Sequence, residues 1–378
     1  MYDTQNITQS AAPAFQFYPE GYFVLTEKQL DDARFAFYVV LNPLTALFGI
    51  GGNISSFLIL IRKTMRTTQN LILLALSITD AMHLLATFCH SFSHIMTYFY
   101  KQEWNNLIND AFPYFGAYLY HVWGRISAML TVCITLERLI AVTMPLKVKM
   151  IWTKKVTLVC IFLSYFIPAT IMVTQIFEYE AAHVYFPNST DYKVTLVLTD
   201  LGKDRILFTN LYNANMTILR YMPIFIVSLA NLIIIAGLWH HARQRKHLKT
   251  GSESMISSKE LKITRTLIMV SVVFFISSAP GTTVFLIQNL DPEYNFPFFR
   301  NNGYTMALIV SLWLEVLNSS INFVIYVATN SKFRDMYCEM FPCCGKVKKQ
   351  NVYVDSSKKT TSISVLSDQE TNEVTPSS

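Results

Sequence analysis

Residues 128–146 read AMLTVCITLERLIAVTMPL. The stretch is apolar or small as far as Leu136, then carries Glu137 and Arg138 side by side, and closes on Pro145 and Leu146. An apolar run that ends in charge is expected to cross a bilayer as a helix and stop near a polar surface. Six other runs share this character, so that seven lie at roughly 35 to 61, 71 to 98, 112 to 140, 156 to 177, 217 to 239, 263 to 288 and 304 to 327. Each meets the requirement of about 20 residues, at about 1.5 Å rise, for roughly 30 Å of hydrocarbon. With 52% hydrophobic and only 15% charged residues and a mean hydropathy of +0.32, a water-soluble core is excluded. Long runs without alternation are helices, because lipid offers the backbone no hydrogen-bond partners. The expected fold is all-α: a seven-transmembrane helix bundle over 35–328 after an extracellular segment 1–34. A short amphipathic helix over 329–345 and a disordered cytoplasmic tail over 346–378 are expected to follow.

Lysine and arginine set the orientation. Arg62, Lys63 and Arg66 follow the first span, Lys147, Lys149, Lys154 and Lys155 the third, and Arg243, Arg245, Lys246 and Lys249 the fifth. These connections read as cytoplasmic, whereas Asp31, Asp32, Glu178, Glu180, Asp191, Asp200 and Asp204 mark the opposite side. The amino terminus is therefore expected outside and the tail inside. No charged leader with a short apolar run precedes residue 35, so the first span is expected to act as its own insertion signal. The sequons at Asn6 and Asn188 fall on the outer side, as glycosylation requires.

Four polar residues interrupt four different apolar runs: Asn53, Asp80, Arg138 and Asn322. Such groups are costly in hydrocarbon and by default indicate function. Their settings are specific. Glu137 and Arg138 precede Ala141-Val142 and Pro145-Leu146; Asn53 follows Gly51-Gly52; Asp80 closes Leu76-Ser77-Ile78-Thr79-Asp80; Pro223 and Pro280 interrupt spans five and six. Span seven carries Asn322-Phe323-Val324-Ile325-Tyr326, and Phe333 follows it. In this order and spacing the chain, over about residues 35 to 345, resembles the rhodopsin-like (class A) G-protein-coupled receptors. The run Asn318-Ser319-Ser320-Ile321-Asn322-Phe323 is also similar to that of invertebrate neuropeptide receptors of the FMRFamide type.

The resemblance implies roles. Glu137, Arg138, Glu260 and Tyr326 would form the G-protein-coupling switch, with Arg138 held by Glu137 and latched to Glu260 in the inactive state. A guanidinium suits this because it is planar and permanently charged; an interfacial arginine snorkelling to water is the plainer alternative. Asn53, Asp80, Ser127, Asn318, Ser319 and Asn322 would form a sodium pocket, with Asp80 and Ser127 as metal ligands, or else a hydrogen-bonded packing network without an ion. Pro223, Phe274 and Pro280 would form the hinge about which span six swings. Departures are also visible. Phe323 replaces the usual proline of span seven, Ser277 and Ser278 stand where the family places Cys and Trp, and Asn231 replaces a usual tyrosine. Neither the start of span three nor the loop 178–215 contains cysteine, so the usual outer disulfide is absent.

The ligand is expected among His90, His94, Tyr120, His121, Arg125, Arg220, Trp313 and Glu315. Arg125 either pairs with Glu315 or receives an anionic or carbonyl-rich ligand group. Tyr120 stands where amine receptors carry Asp, and span seven lacks a lysine for a Schiff base, so aminergic and opsin functions are disfavoured. An acidic outer surface and aromatic walls favour a short peptide; the alternatives are a small external chemical, or a membrane protein that binds without signalling. Cys338, Cys343 and Cys344 lie at palmitoylation depth. Ser356, Ser357, Thr360, Thr361, Ser362, Ser364 and Ser367 form a candidate phosphorylation cluster for arrestin. The remaining partners are the lipid bilayer and a heterotrimeric G protein. His240, His241 and His247 sit in a basic loop without metal-ligand spacing, and no phosphate-binding loop or nucleophile–base pair occurs, so neither an enzyme nor a nucleic-acid binder is expected.

Overall fold

The computed structural model describes residues 25–65, 67–99, 101–185, 192–247, 258–290 and 302–341. Contacts divide the chain into two units, Met1–Tyr337 and Cys338–Ser378. Among its described residues the first holds seven helices long and apolar enough to cross a membrane: Glu27–Leu60, Thr68–Thr97, Phe115–Thr143, Lys154–Phe177, Arg205–His241, Thr264–Ile287 and Asn302–Thr329. They are called here spans one to seven. Of the second unit, only residues 338–341 fall within the described set.

Two helices begin earlier than hydropathy indicates. Span one starts at Glu27, inside the segment expected to precede the bundle, because Thr26 and Gln29 form a reciprocal capping box that satisfies its first amides. Span five starts at Arg205, where Asp204 Oδ1 accepts from Leu207 N at 3.0 Å. Polar caps, invisible to a hydropathy window, carry both helices past the apolar run. Among the described residues, three wider π-type turns occur, at Phe35–Leu41 within span one, Phe115–Leu119 at the start of span three and Thr217–Tyr221 within span five. The last directly precedes Pro223, whose missing N–H favours such a local adjustment.

Small residues bring spans one and seven into close contact. A Cβ on Gly49 would lie 2.5 Å from Ser320 Oγ and 2.6 Å from Leu84 Cδ1, and one on Gly52 would lie 2.9 Å from Phe323 Cβ. Only glycine permits this approach, as is usual where helices associate in lipid. Phe323 thus packs on a glycine face rather than kinking span seven. Spans two and four are joined by Tyr165, whose hydroxyl lies 2.7 Å from Thr79 Oγ1 and donates to Ala75 O at 3.1 Å.

The loop between spans four and five departs from the all-helical expectation. Strands β1 (Tyr179–Tyr185) and β2 (Tyr192–Leu198) pair antiparallel, from Tyr179↔Leu198 to Tyr185↔Tyr192. The sequence Tyr192-Lys193-Val194-Thr195-Leu196-Val197-Leu198 has the β-branched and aromatic content of a strand. Without a disulfide to anchor it, the hairpin is held by the helix Lys101–Ala111. Asn106 donates from Nδ2 to Tyr192 O at 3.0 Å and accepts from Val194 N at 2.9 Å. Asn109 donates to Val194 O at 2.8 Å, and His183 Nε2 lies 2.9 Å from Asp110 Oδ1. One carboxamide thereby meets the backbone of β2 as another strand would.

Replacing this clamp is expected to loosen the hairpin without unfolding the spans. Asn106→Ala leaves two backbone groups of β2 without their partner, at a cost of about 1–3 kcal/mol. Hydrogen exchange of residues 192–198 should accelerate while exchange in spans two and three is unchanged; unaltered exchange in β2 would show that the clamp carries no load.

Candidate functional site

Polar side chains form three levels through the bundle. At the carboxy-terminal end of span three, Arg138 donates to Glu137 through both Nε and Nη2 at 2.5 Å, and both residues are buried. Gln69 Nε2 donates to Glu137 Oε1 at 3.2 Å, tying span two to the pair. Glu260 lies in the helix Ser258–Leu290, but its side chain falls outside the described residues. Tyr326 packs edge-on against Phe333, and its buried hydroxyl has no partner among the described residues. It borders a cavity of about 280 Å³ shared with Leu73, Leu267 and Lys332.

The middle level centres on Asp80. Ser127 Oγ donates to Oδ1 and Asn322 Nδ2 to Oδ2, both at 2.8 Å. Asn53 Nδ2 donates to Gly49 O at 3.0 Å and Ser319 O at 2.9 Å, joining span one to span seven. Ser319 Oγ lies 3.0 Å from His83 Nδ1. His83 was not singled out in the sequence, although its place three residues after Asp80 puts it on the same helical face. Asn318 lines a small cavity of about 20 Å³ above this network, room for about one water.

That cavity is roofed by a triad. Arg125 Nη2 lies 3.1 Å from Glu315 Oε2, and Arg220 Nη2 lies 2.7 Å from Glu315 Oε1. The pairing of Arg125 with Glu315 is one of the two alternatives open from the sequence; the sharing of Glu315 with Arg220 is new. Phe274 lies below, packed with Ala128, Val132 and Val227 from spans three and five. Pro280 is internal to its helix, and below it Ser271 Oγ donates to Asn231 Oδ1 at 2.9 Å, linking spans five and six.

Above the triad lies a cavity of about 510 Å³ that reaches the hairpin end of the bundle. His90, Tyr120, His121, Arg125 and Arg220 border it, as expected. Glu315 does not reach its wall and lies beneath the two arginines. His94 stands behind the wall, stacked on Tyr38 with ring centroids 4.6 Å apart. Trp313 is displaced altogether: its indole donates to Thr45 Oγ1 at 3.4 Å and its ring meets Phe37 edge-on. About 100° of helical rotation per residue sends Trp313 towards span one while Leu312 faces the cavity. Tyr38, Tyr212, Phe285 and Tyr304 also border it, and no motif in the sequence marks them. Each of the three π-type turns contributes a bordering residue: Tyr38, Gly116 and Arg220. At the mouth, burial raises the Glu178 carboxyl above its ordinary range, opposed by the Tyr179 hydroxyl and by the charge of Arg205.

Asn6, Asn188, Cys343 and Cys344 lie outside the described residues. Cys338 is a half-buried free thiol.

The comparisons agree with this architecture. The chain is similar to a Caenorhabditis elegans protein described as a G-protein coupled receptor, 24% identical over 77% of this chain and 70% of the relative. It is similar to the FMRFamide receptor of Drosophila melanogaster, 26% identical over 82% of this chain but only 55% of that receptor. It is also similar to the allatostatin-A receptor of Bombyx mori, 24% identical over 79% and 77%. The motif resemblance is thereby borne out, and the reading against an enzyme with it. Residues 40–344 match the family described as serpentine type 7TM GPCR chemoreceptor Srw, and the chain is a member of that family of multi-pass, G-protein-coupled receptors.

Proposed function

We propose that this chain is a plasma-membrane receptor, amino terminus outside, that binds a short peptide in the cavity between the hairpin and the triad. The observation that carries the reading is the cavity itself. Its roughly 510 Å³ falls within the range of about 300–1,000 Å³ usual for ligand sites, and aromatic walls with a few convergent polar groups suit peptide side chains. Relatives named for the peptides FMRFamide and allatostatin-A support it. Chemosensation of a small molecule is the second reading, favoured by the description of the family. Second-messenger assays of expressing cells against short peptides and against a panel of small volatile and soluble chemicals separate the two; a response only to the chemicals would overturn the peptide reading.

The ligand acts on spans three, five and six through Arg125 and Arg220, and Phe274 lies directly beneath them. Span six then swings below Pro280, parting Ser271 from Asn231 and exposing Arg138 to a G-protein helix. In this reading the tail binds arrestin when phosphorylated, Cys338, Cys343 and Cys344 carry palmitoyl anchors, and Asn6 and Asn188 carry glycans. Asp80 and Ser127 would hold a sodium ion, with Asn53 and Asn322 nearby. The fit is supported by Asn53 Oδ1 and Asn322 Oδ1, buried acceptor oxygens without a partner among the described residues; a hard cation favours such oxygens. When bound, the ion would supply positive charge opposite the Asp80 carboxylate.

Three outcomes are expected. Arg138→Ala should abolish ligand-stimulated nucleotide exchange on the G protein with ligand affinity little changed; retained exchange would remove Arg138 from the switch. Ser271→Ala breaks a bond present in this arrangement, worth about 1 kcal/mol, and should raise ligand-free signalling about fivefold; unchanged basal signalling would dissociate that bond from activation. Asp80→Asn should abolish the dependence of agonist affinity on sodium chloride, and a dependence equal to wild type would exclude the ion from this pocket.

A further inference from the structure

We infer that the floor of the cavity recognises a carboxylate on the ligand, with Arg220 as the residue that determines this specificity. The inference rests on the reading of the cavity as the ligand site and names the chemistry that the site selects.

The charges on the floor do not balance. Arg125 and Arg220 share the single carboxylate of Glu315, so the triad itself carries one net positive charge, while Asp80, one level below, is engaged by Ser127 and Asn322 instead. Burying an uncompensated charge is strongly unfavourable, so a counter-charge is required. Among the described residues bordering the cavity, the only carboxylate is Glu178, and it lies at the mouth beside Arg205. The other polar neighbours of the floor, such as Tyr212, Tyr304 and Asn289, bring no negative charge.

Hydrogen bonding leads to the same group. Arg220 is 5% exposed, yet its Nε and Nη1 have no partner among the described residues. Its only ion pair there uses Nη2, and the Phe285 ring, 4.4 Å from the guanidinium carbon, takes none of these N–H groups in the plane of the fork. A guanidinium carries five donors in fixed geometry, and the anionic oxygens of a carboxylate are the strong acceptors for those left over. Position is secured from span six. A Cβ on Gly281 would lie 2.7 Å from Arg220 Nη1 and 3.2 Å from Ser311 Cβ, so only glycine leaves the guanidinium where it is.

A carboxylate could come from a peptide with a free carboxyl terminus or acidic side chain, or from a small organic acid. The experiment separates these sources. Full-length receptor in detergent is heated with benzoate or with its neutral isostere benzamide, and expressing cells are assayed with short peptides supplied in pairs as free acid and amide and with a panel of small monocarboxylic acids. Benzoate should raise the melting temperature of wild type and benzamide should not. The shift should vanish in Arg220→Gln and shrink in Gly281→Ala, which keeps the charge but displaces it; the second variant serves if the first fails to fold. Responses to acids should exceed those to the paired neutral compounds by about tenfold or more, as expected for exchanging a charged for a neutral acceptor. Equal shifts with benzoate and benzamide, a benzoate shift that survives in both variants, or amides as potent as acids would overturn the inference while leaving the peptide reading standing. A response to small acids alone would uphold it and replace the peptide reading by chemosensation.

Discussion

A charge inside hydrocarbon persists only with a partner beside it, and that constraint organises this bundle. Glu315, Asp80 and Glu137 are three carboxylates at three depths, and each is engaged by donors from another side chain. Breaking any one set leaves a buried charge exposed to a low dielectric, so each set has few arrangements open to it and moves between them as a unit. Arg125 and Arg220 are tied together through Glu315, and Phe274 borders the same small cavity.

The hairpin end of the bundle solves a different problem. Its hairpin must cover the cavity without a covalent tie to span three, and Asn106 and Asn109 meet the need by hydrogen-bonding to the backbone of β2. The missing tryptophan of span six is treated similarly. Phe274 keeps the apolar contact with Val132 and Val227, and the Ser271–Asn231 bond joins spans five and six at the level below.

Much of this was legible because a membrane enforces local rules. Hydropathy over some 20 residues is enough to locate a span, and Asp80 or Arg138 stands out because almost everything around it is apolar. The beginnings of spans one and five escape hydropathy for the opposite reason, since the caps at Thr26 and Asp204 are polar. The hairpin was obscured by position: residues 179–198 have a strand-like composition, yet they lie in a connection that no hydropathy argument describes. His83, one turn from Asp80 on the same face, is legible by the same rule.

From the residues alone came the seven spans, the charge bias of their connections and the motifs that mark a receptor, because each depends on neighbours within a turn or two. The tertiary structure alone decided which side chains meet. Asp80 and Asn322 are 242 positions apart and touch, while Trp313, two residues from Glu315, faces span one instead of the cavity. A helix rotated by one residue turns its side chains through about 100°, and that rotation is set by the packing of all its neighbours, including the close approach at Gly49 and Gly52. Whether two arginines share one carboxylate is settled at that level and at no other.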